Sequence, residues 1–505
     1  MSRINRFKCA SLDGLSAKVV SVETSFTKGL PAFSVVGLAS SDIQESKERV
    51  KASLITNNFS FPPLKITVNL SPSDIKKSGT HFDLPIALLI ALNEIDIENS
   101  DIFVFGELGL DGKIKSSSML FPLILSLKEQ GLIKKAIVPK ESLIHLRHIS
   151  DIDFIGVDYL KEAIEIISTN SMDKESIRYD YNALKVVVNN EEFFYKEEYS
   201  RDFYDIKGQN IAKRASLIAS VGMHNFLMQG SPGCGKSMIA KRLCDILPPL
   251  SKNEILSIAK HKFLDGVIPD FTPKREIRSP HHTATIASIF GGGSTNARIG
   301  EVALANYGIL FFDELPHFAK PLLEALREPL QDKRVNISRV NSKIVYDADL
   351  MFVGAMNPCP CGNLLSKVNK CRCSEIEIKR YKNRLSDPFL DRIDIFVVMQ
   401  EISADDKSDI TSKDMHKKVI ESFKLQKLRG QKRLNGKLKE SEIEKFCILS
   451  NDASKILESG IAKFGLTHRS IASIKKVSRS IADINGNKLI EKKDILEALS
   501  YRRRG

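Results

Sequence analysis

Apolar residues at alternating or clustered positions over residues 19–22, 66–70, 102–105 and 136–138 predict β-strands. Helical spacing over 87–93 and Leu120–Glu129 predicts helices between them. Gly14, Gly29, Gly37 and Gly106 mark the turns. This mixture, up to about residue 168, reads as an α+β domain. Residues 169–200 are polar, with Asn170-Ser171-Met172-Asp173-Lys174 and Asn189-Asn190-Glu191-Glu192, and are expected to form a linker. From 201 to 400 strand and helix alternate: a strand over 225–229, a glycine-rich loop, a helix over 237–247, and two fully apolar runs at Ile309–Phe312 and 349–355. Runs apolar on both faces belong to buried parallel strands, so this stretch predicts an α/β parallel-sheet core. From 401 to 505 the strands stop and helical periodicity takes over, as in 471–484 and 492–499.

Composition refines this picture without changing it. A chain of 505 residues holds about three domains at roughly 100–200 residues each. The longest strongly apolar stretches, such as 86–92, are too short to cross a bilayer, and residues 1–10 have no apolar core of the signal-peptide kind. A cytoplasmic location and no membrane partner are therefore expected. The net charge of +13 favours polyanionic partners such as nucleic acid or nucleotide.

The clearest chemistry lies at Gly230-Ser231-Pro232-Gly233-Cys234-Gly235-Lys236-Ser237, which fits G-x-x-x-x-G-K-[ST] at every position between a predicted strand and a predicted helix. Glycines let the backbone wrap close to phosphates, and the helix N-terminus adds partial positive charge. Lys236 is expected to reach the β- and γ-phosphates of ATP, and the Ser237 hydroxyl to ligate Mg²⁺. Ile309-Leu310-Phe311-Phe312-Asp313-Glu314 supplies the partner strand. Its apolar run pushes Asp313 to the C-terminal end, where open α/β sheets bind ligands. Asp313 is expected to hold the magnesium shell and Glu314 to act as general base on the attacking water. Between these motifs, His281-His282-Thr283 reads as an exposed polar loop.

Three further patterns stand out. Cys359-Pro-Cys361 and Cys371-Arg-Cys373 gather four of the eight cysteines, a spacing suited to a structural four-thiolate zinc site, with free thiols in a loop as the competing reading. Residues 333–349 read as a hairpin: Arg334-Val335-Asn336-Ile337-Ser338, a turn over 339–342, and Lys343-Ile344-Val345-Tyr346. Residues 413–439 hold ten Lys or Arg against Asp414 and Glu421, either a phosphate-tracking run or a solvated face.

At this point the chain resembles a known family. Gly291-Gly292-Gly293, Gly300-Glu301-Val302, Phe312-Asp313-Glu314-Leu315-Pro316, Leu326-Arg327-Glu328-Pro329-Leu330, Met356-Asn357-Pro358-Cys359-Pro360-Cys361-Gly362 and Leu390-Asp391-Arg392-Ile393-Asp394 run in the order seen in ComM/YifB-type, magnesium-chelatase-like AAA+ ATPases. Asp205-Ile206-Lys207-Gly208-Gln209 resembles their motor-domain entry, with Gly208 and Gln209 beside the nucleotide. Phe33-Ser34-Val35-Val36-Gly37-Leu38 and Ile66-Thr67-Val68-Asn69-Leu70-Ser71-Pro72 resemble their N-terminal domain.

The resemblance implies a Lon-protease-like (ribosomal S5 domain 2-like) α+β domain at 1–168, a linker at 169–200, an AAA+ P-loop core at 201–400 and a helical lid at 401–505. It implies that Asn357 is the sensor for water or γ-phosphate. Arg392 resembles an arginine finger given to a neighbouring subunit, with a salt bridge to Asp391 or Asp394 as the alternative. Arg469 resembles the second sensor in the lid. A finger supplied in trans requires a head-to-tail ring, and the family implies a homo-hexamer. Related ring helicases carry a pore hairpin where 333–349 lies, so Lys333, Arg334, Arg339 and Lys343 are candidate DNA phosphate contacts. The stretches that carry the Ser and Lys of Lon-type proteases correspond to 79–85 and 113–119 and show no convincing pair, so peptidase activity is not expected. The family function implied is a magnesium-dependent, ATP-driven helicase that migrates branches in single-stranded or branched DNA during recombination in natural transformation. A chelatase-type motor remodelling a protein partner, a Lon-like protease and a non-enzymatic scaffold are the rivals.

Overall fold

The alternation of apolar residues along the first strands closes a mixed sheet of seven strands. In the computed structural model, which describes residues 5–95, 101–169, 181–292, 298–338, 343–403 and 406–502, these are β1 (Arg6–Asp13), β2 (Ser16–Thr27), β3 (Ala32–Val36), β4 (Lys65–Ser71), β5 (Phe103–Val104), β6 (Lys135–Pro139) and β7 (Asp153–Val157). Their order is β3-β4-β2-β1-β5-β6-β7. The β1/β2 and β2/β4 pairs are antiparallel and the others parallel. Helix α1 (Ser41–Thr56) shows the sheet one apolar stripe, with Ile43, Val50 and Leu54 buried. Helix α2 (Asp83–Ala91) is apolar nearly all round and buried on every face, as such a composition demands. Helix α3 (Leu120–Glu129) spans the residues its spacing predicts. No helix among the described residues is long and apolar enough to cross a membrane.

By Cα proximity the chain divides into two units. One holds residues 1–180, 259–270 and 338–345, and the other 181–258, 271–337 and 346–505. The second unit contains an all-parallel five-stranded sheet. Its strands are β10 (Phe226–Gln229), β12 (Ile277–Arg278), β13 (Ile309–Phe312), β16 (Met351–Met356) and β17 (Ile395–Val398), in the order β12-β13-β16-β10-β17. The central strands β13 and β16 are buried at every residue. Helices α4 (Asn210–Gly222), α5 (Lys236–Leu243), α6 (Lys320–Ala325), α7 (Arg327–Asp332), α8 (Glu375–Lys382), α9 (Ser412–Leu428), α10 (Asn451–Phe464), α11 (His468–Ile484) and α12 (Lys492–Ser500) belong to it. Met228, Phe311 and Val353 of the sheet share one core with Ile474, Val477 and Ile481 of α11. Those three recur on one stripe of the helix, which explains why it packs on the sheet by that face.

Part of the segment expected to be a linker is folded. Residues Leu184–Val188 (β8) and Glu191–Tyr195 (β9) form an antiparallel hairpin that adds β11 (Leu250–Ser251) as a third strand. Asn189 and Asn190 both take positive φ (52° and 63°), as a two-residue hairpin turn of the I′ type requires. Val186 and Val188 point inward and pack with Ile420, while Phe193 meets the Phe423 ring edge-on at 5.0 Å. Residues 170–180 of that segment lie outside the described residues.

A buried polar cluster ties the C-terminal helices together. Arg429 grips both oxygens of Asp483 (2.5 and 2.7 Å), Arg479 Nε donates to Asp483 at 3.2 Å, and Asn435 Nδ2 donates to it at 2.8 Å. Asp483 and Arg479 are fully buried. Removing the shared carboxylate strands two guanidinium groups, so Asp483→Ala is expected to cost about 3–5 kcal/mol. Urea denaturation of the variant checks this, and an unchanged midpoint would contradict it.

Candidate nucleotide site

The phosphate loop grows out of β10 and ends at the first residue of α5. Gly233 (φ 80°) and Gly235 (φ 97°) hold left-handed conformations that a side chain would resist. At Gly230 a Cβ would lie 2.7 Å from Cys234 Sγ, so the loop also needs glycine there for space. Ser231 is buried, and Pro232 and Cys234 complete the turn. Gln209, in left-handed conformation just before α4, donates to the Cys234 carbonyl at 3.3 Å and the Gln400 carbonyl at 2.5 Å. Gly208 (φ 59°) donates its N–H to the Lys407 carbonyl at 3.1 Å. The entry segment is thereby tied to the loop it precedes.

The Lys236 ammonium lies inside this cup. It donates to the carbonyls of Gly230 (2.6 Å) and Ser231 (3.0 Å) and to Asn357 Oδ1 (3.1 Å). Burial pushes it below its ordinary pKa. Those carbonyl oxygens occupy the donors that a phosphate would take. The Ser237 hydroxyl donates to Asp313 Oδ2 at 2.6 Å. A hydroxyl facing a carboxylate is the hard-oxygen pair that Mg²⁺ prefers, so the residues fit that ion. Asp313 directly follows β13, and its other oxygen accepts the Glu314 N–H at 2.9 Å. Glu314 is exposed, at φ 50°. Asn357 follows the last residue of β16. Adjacent parallel strands therefore bring two side-chain pairs to one edge, Lys236 with Asn357 and Ser237 with Asp313, with Glu314 next in chain.

Arg392 and Arg469 sit elsewhere. Asp394 and Ile395, at the start of β17, both donate their N–H groups to the Asn225 carbonyl at the start of β10 (3.0 Å each). Arg392 thus precedes the strand ends opposite the phosphate loop, about 13 Å away by strand rise alone. It donates to the carbonyls of Arg327 (3.1 Å) and Pro388 (2.5 Å) and to Gln331 Oε1 (2.8 Å), not to Asp391 or Asp394. Asp394 instead accepts from Asn225 N–H at 3.1 Å and Ser473 Oγ at 2.7 Å. The Arg469 guanidinium lies 3.4–3.5 Å from the same Gln331 oxygen. Burial, then the cations of Arg469 and Arg327, hold Arg392 below the usual arginine pKa. Arg469 thus joins Arg392 and not the chain's own phosphate loop, because α11 docks its first turn at that end. Arg327 and Gln331, on the helix Arg327–Asp332, complete this patch. Sequence reasoning gave them no role, although their spacing of four puts them on one helical face.

The hairpin forms from β14 (Arg334–Ser338) and β15 (Lys343–Asp347). Its basic residues are not equivalent. Arg334 is exposed and lies 3.8 Å from Asp347. Lys333 lies at the base, where its ammonium donates to Asp349 (3.2 Å) and to the Lys437 carbonyl (3.0 Å). That engagement removes Lys333 from the set of free phosphate contacts. Arg339 and the side chain of Lys343 fall outside the described residues. The basic run 413–439 also divides. Lys413, Lys417, Lys418 and Lys424 are exposed along α9. Arg429 is sealed onto Asp483, Arg433 pairs with Glu442 at 3.0 Å, and Lys437 Nζ donates to the Leu350 carbonyl at 2.5 Å. His281 bonds to Thr283 Oγ1 at 2.8 Å, and its ring stacks 4.1 Å from His282.

The four clustered cysteines do meet. Cys359 Sγ lies 3.5 Å from Cys361 Sγ and 3.7 Å from Cys371 Sγ, Cys361 and Cys371 are 3.6 Å apart, and with Cys373 all four sulfurs fall within 4.8 Å of one another. All four are free thiols. Backbone N–H groups of Arg372 and Asn363 pull the Cys361 thiol down to about 6.

Comparison with known proteins gives family matches along the chain. Residues 202–407 match the family described as magnesium chelatase, subunit ChlI. Residues 22–142 match subunit ChlI of Mg-chelatase, and 409–502 match the magnesium chelatase subunit ChlI C-terminal family. Competence protein ComM of Haemophilus influenzae is 35% identical over 499 residues, covering 97% of this chain and 95% of that protein. The YifB proteins of Salmonella typhimurium and Escherichia coli are 34% and 32% identical, each covering 97% of this chain and 95% of its relative. The chain belongs to the ComM/YifB family and carries a magnesium-chelatase-type AAA+ core.

Proposed function

We propose that the protein is a magnesium-dependent ATPase that works as a homo-hexameric ring and moves along single-stranded or branched DNA. The reading extends to branch migration during recombination of DNA taken up in natural transformation. The observation that carries it is the convergence of Lys236, Ser237, Asp313 and Asn357 at the strand ends, with Glu314 adjacent. In this reading Lys236 and the loop N–H groups hold the β- and γ-phosphates, and Ser237 and Asp313 hold Mg²⁺. Magnesium, when bound, neutralises charge on the transferred phosphoryl group. Glu314 takes the proton of the attacking water, and Asn357 orients that water.

The opposite-end position of Arg392 and Arg469 supports a shared site, because a guanidinium there is placed to serve a neighbour's triphosphate. Arg392→Ala is expected to keep nucleotide affinity and lose turnover about 10³-fold, the scale of an arginine finger. Mixing it with a Lys236→Ala variant should restore part of the activity, since one interface then pairs an intact loop with an intact finger. No recovery in any mixing ratio would contradict a finger acting in trans.

The name of the Haemophilus influenzae relative supports a place in competence. The exposed lysines of α9 and Arg334 support a phosphate-tracking surface that reads no base sequence. For the N-terminal domain we retain a Lon-like architecture without peptidase activity. In the stretch 79–85 His81 is buried with its ring nitrogen 2.8 Å from the Ala10 carbonyl, and Asp83 is sealed by Arg49 at 2.7 Å. Neither offers a nucleophile to a peptide. The four thiols of 359–373 are read as a structural zinc site. Unwinding of a synthetic four-way junction tests the motor reading: ATP-dependent strand separation is expected. Hydrolysis indifferent to DNA, with an intact junction, would favour a chelatase-type motor.

A further inference from the structure

The zinc-type loop has a second property beyond its four sulfurs. A cation bound to four thiolates at about 2.3 Å sets sulfur-to-sulfur edges of about 3.8 Å in a tetrahedron. The separations of 3.5, 3.6 and 3.7 Å among Cys359, Cys361 and Cys371 match three edges of such a tetrahedron, and Cys373 stays within 4.8 Å of them. A four-iron cluster interposes its own sulfides and needs ligands farther apart. The loop starts two residues after Asn357, with Cys359 fully buried, and folds directly against the phosphate loop. Gly362 takes φ 81°, and a Cβ there would stand 2.6 Å from Pro232 Cδ. The Gly362 N–H donates to the Cys359 carbonyl at 3.0 Å, which closes that turn.

The far arm returns to the same residue. Cys373 leads into the helix Glu375–Lys382, whose N-terminus is fixed by a reciprocal capping box between Ser374 and Glu377. From that helix the Tyr381 hydroxyl faces the backbone of Asn357, and a Cβ at Gly362 on the near arm would stand 4.0 Å from Asn357 Cγ. Its ring lies edge-on to His317, three residues past Glu314, at 6.1 Å. Both arms of the thiol loop therefore bracket Asn357, whose amide oxygen accepts from Lys236.

We propose that the four thiolates of Cys359, Cys361, Cys371 and Cys373 bind one zinc ion that acts as a positioning element for ATP hydrolysis, holding Asn357 and Pro232 at the phosphate site. The proposal rests on the ATPase reading above. Metal binding displaces the four thiol protons. Without the ion, the phosphate loop still stands on β10 and α5, so nucleotide still binds. The frame that aims Asn357 is lost, so turnover falls. Displacements of about 1 Å at such a group cost on the order of 100-fold in rate.

The experiment uses the full chain under reducing conditions. Elemental analysis should find about one zinc per protein. Zinc is then stripped from the wild type with a zinc-selective chelator, Mg²⁺ being held in excess. A thiol reagent is avoided because Cys234 lies in the phosphate loop. A Cys371→Ser/Cys373→Ser variant is measured in parallel, and the melting temperature is followed in both. The expected result is a kcat reduced by about 10- to 100-fold with KM within about 3-fold, and full recovery of the stripped wild type on adding zinc alone. Where the double variant does not fold, the stripped wild type decides. A wild type without bound metal would overturn the proposal. So would a zinc-free protein that melts earlier yet keeps its kcat, which is the signature of a merely structural ion. A zinc-replete wild type that hydrolyses no ATP would overturn the ATPase reading itself, and the positioning role with it.

Discussion

Lys236→Ala is expected to bind nucleotide at least 100-fold more weakly than the wild type and to hydrolyse none. The ammonium is the one positive charge inside the loop, and truncating a buried, hydrogen-bonded partner of a phosphate costs about 3–4 kcal/mol, or roughly 10²- to 10³-fold in Kd. The fold should survive. The side chain is desolvated and bonded to loop carbonyls, Asn357 and the Cys234 sulfur, so its removal relieves a buried charge as it loses those bonds. Titration with a fluorescent ATP analogue, alongside a melting curve, separates the two effects. An unchanged Kd in a folded variant would remove Lys236 from the phosphate site.

Glu314→Gln is expected to do the reverse. The amide keeps the size and the exposed position of the side chain but cannot take a proton, so binding should persist while turnover falls by about 10²- to 10⁴-fold, the usual worth of a general base. Its backbone supports the assignment. Glu314 holds φ 50°, a left-handed conformation uncommon for a glutamate, immediately after a strand buried at every residue. The chain turns there, and Asp313 accepts the Glu314 N–H, which ties the two acids together. Single-turnover measurements should show ATP retained on the variant for the duration of many wild-type cycles. Wild-type turnover in this variant would mean that another group activates the water.

Much of this site could be read from the residues because its determinants are local. Glycine at 233 and 235, a lysine at the first position of a helix, and a four-residue apolar strand ending in two acids each carry their geometry in a few consecutive positions. The parallel order that makes the strands neighbours follows from their being apolar on both faces. What escaped was set by distant partners. The Asn189-Asn190 turn lies among acids and looked like a linker, and only the burial of Val186, Val188 and Phe193 turns it into a sheet. Lys333 reads as a free cation until Asp349 and the Lys437 carbonyl close on it. Arg429, Arg433 and Lys437 look like a continuation of an exposed basic face, yet each is engaged by a distant partner: Asp483, Glu442 and the Leu350 carbonyl. The meeting of Arg469 with Arg392 at Gln331 depends on how α11 docks, which no local spacing encodes.

The account depends most on ATP being hydrolysed at this site in a way that DNA controls. The direct test is the steady-state hydrolysis rate of the purified full chain with Mg²⁺, titrated with single-stranded DNA. The predicted result is a magnesium-dependent rate that rises with DNA and vanishes in Lys236→Ala. Absence of hydrolysis at every DNA concentration, or a rate that Lys236→Ala leaves intact, would contradict it.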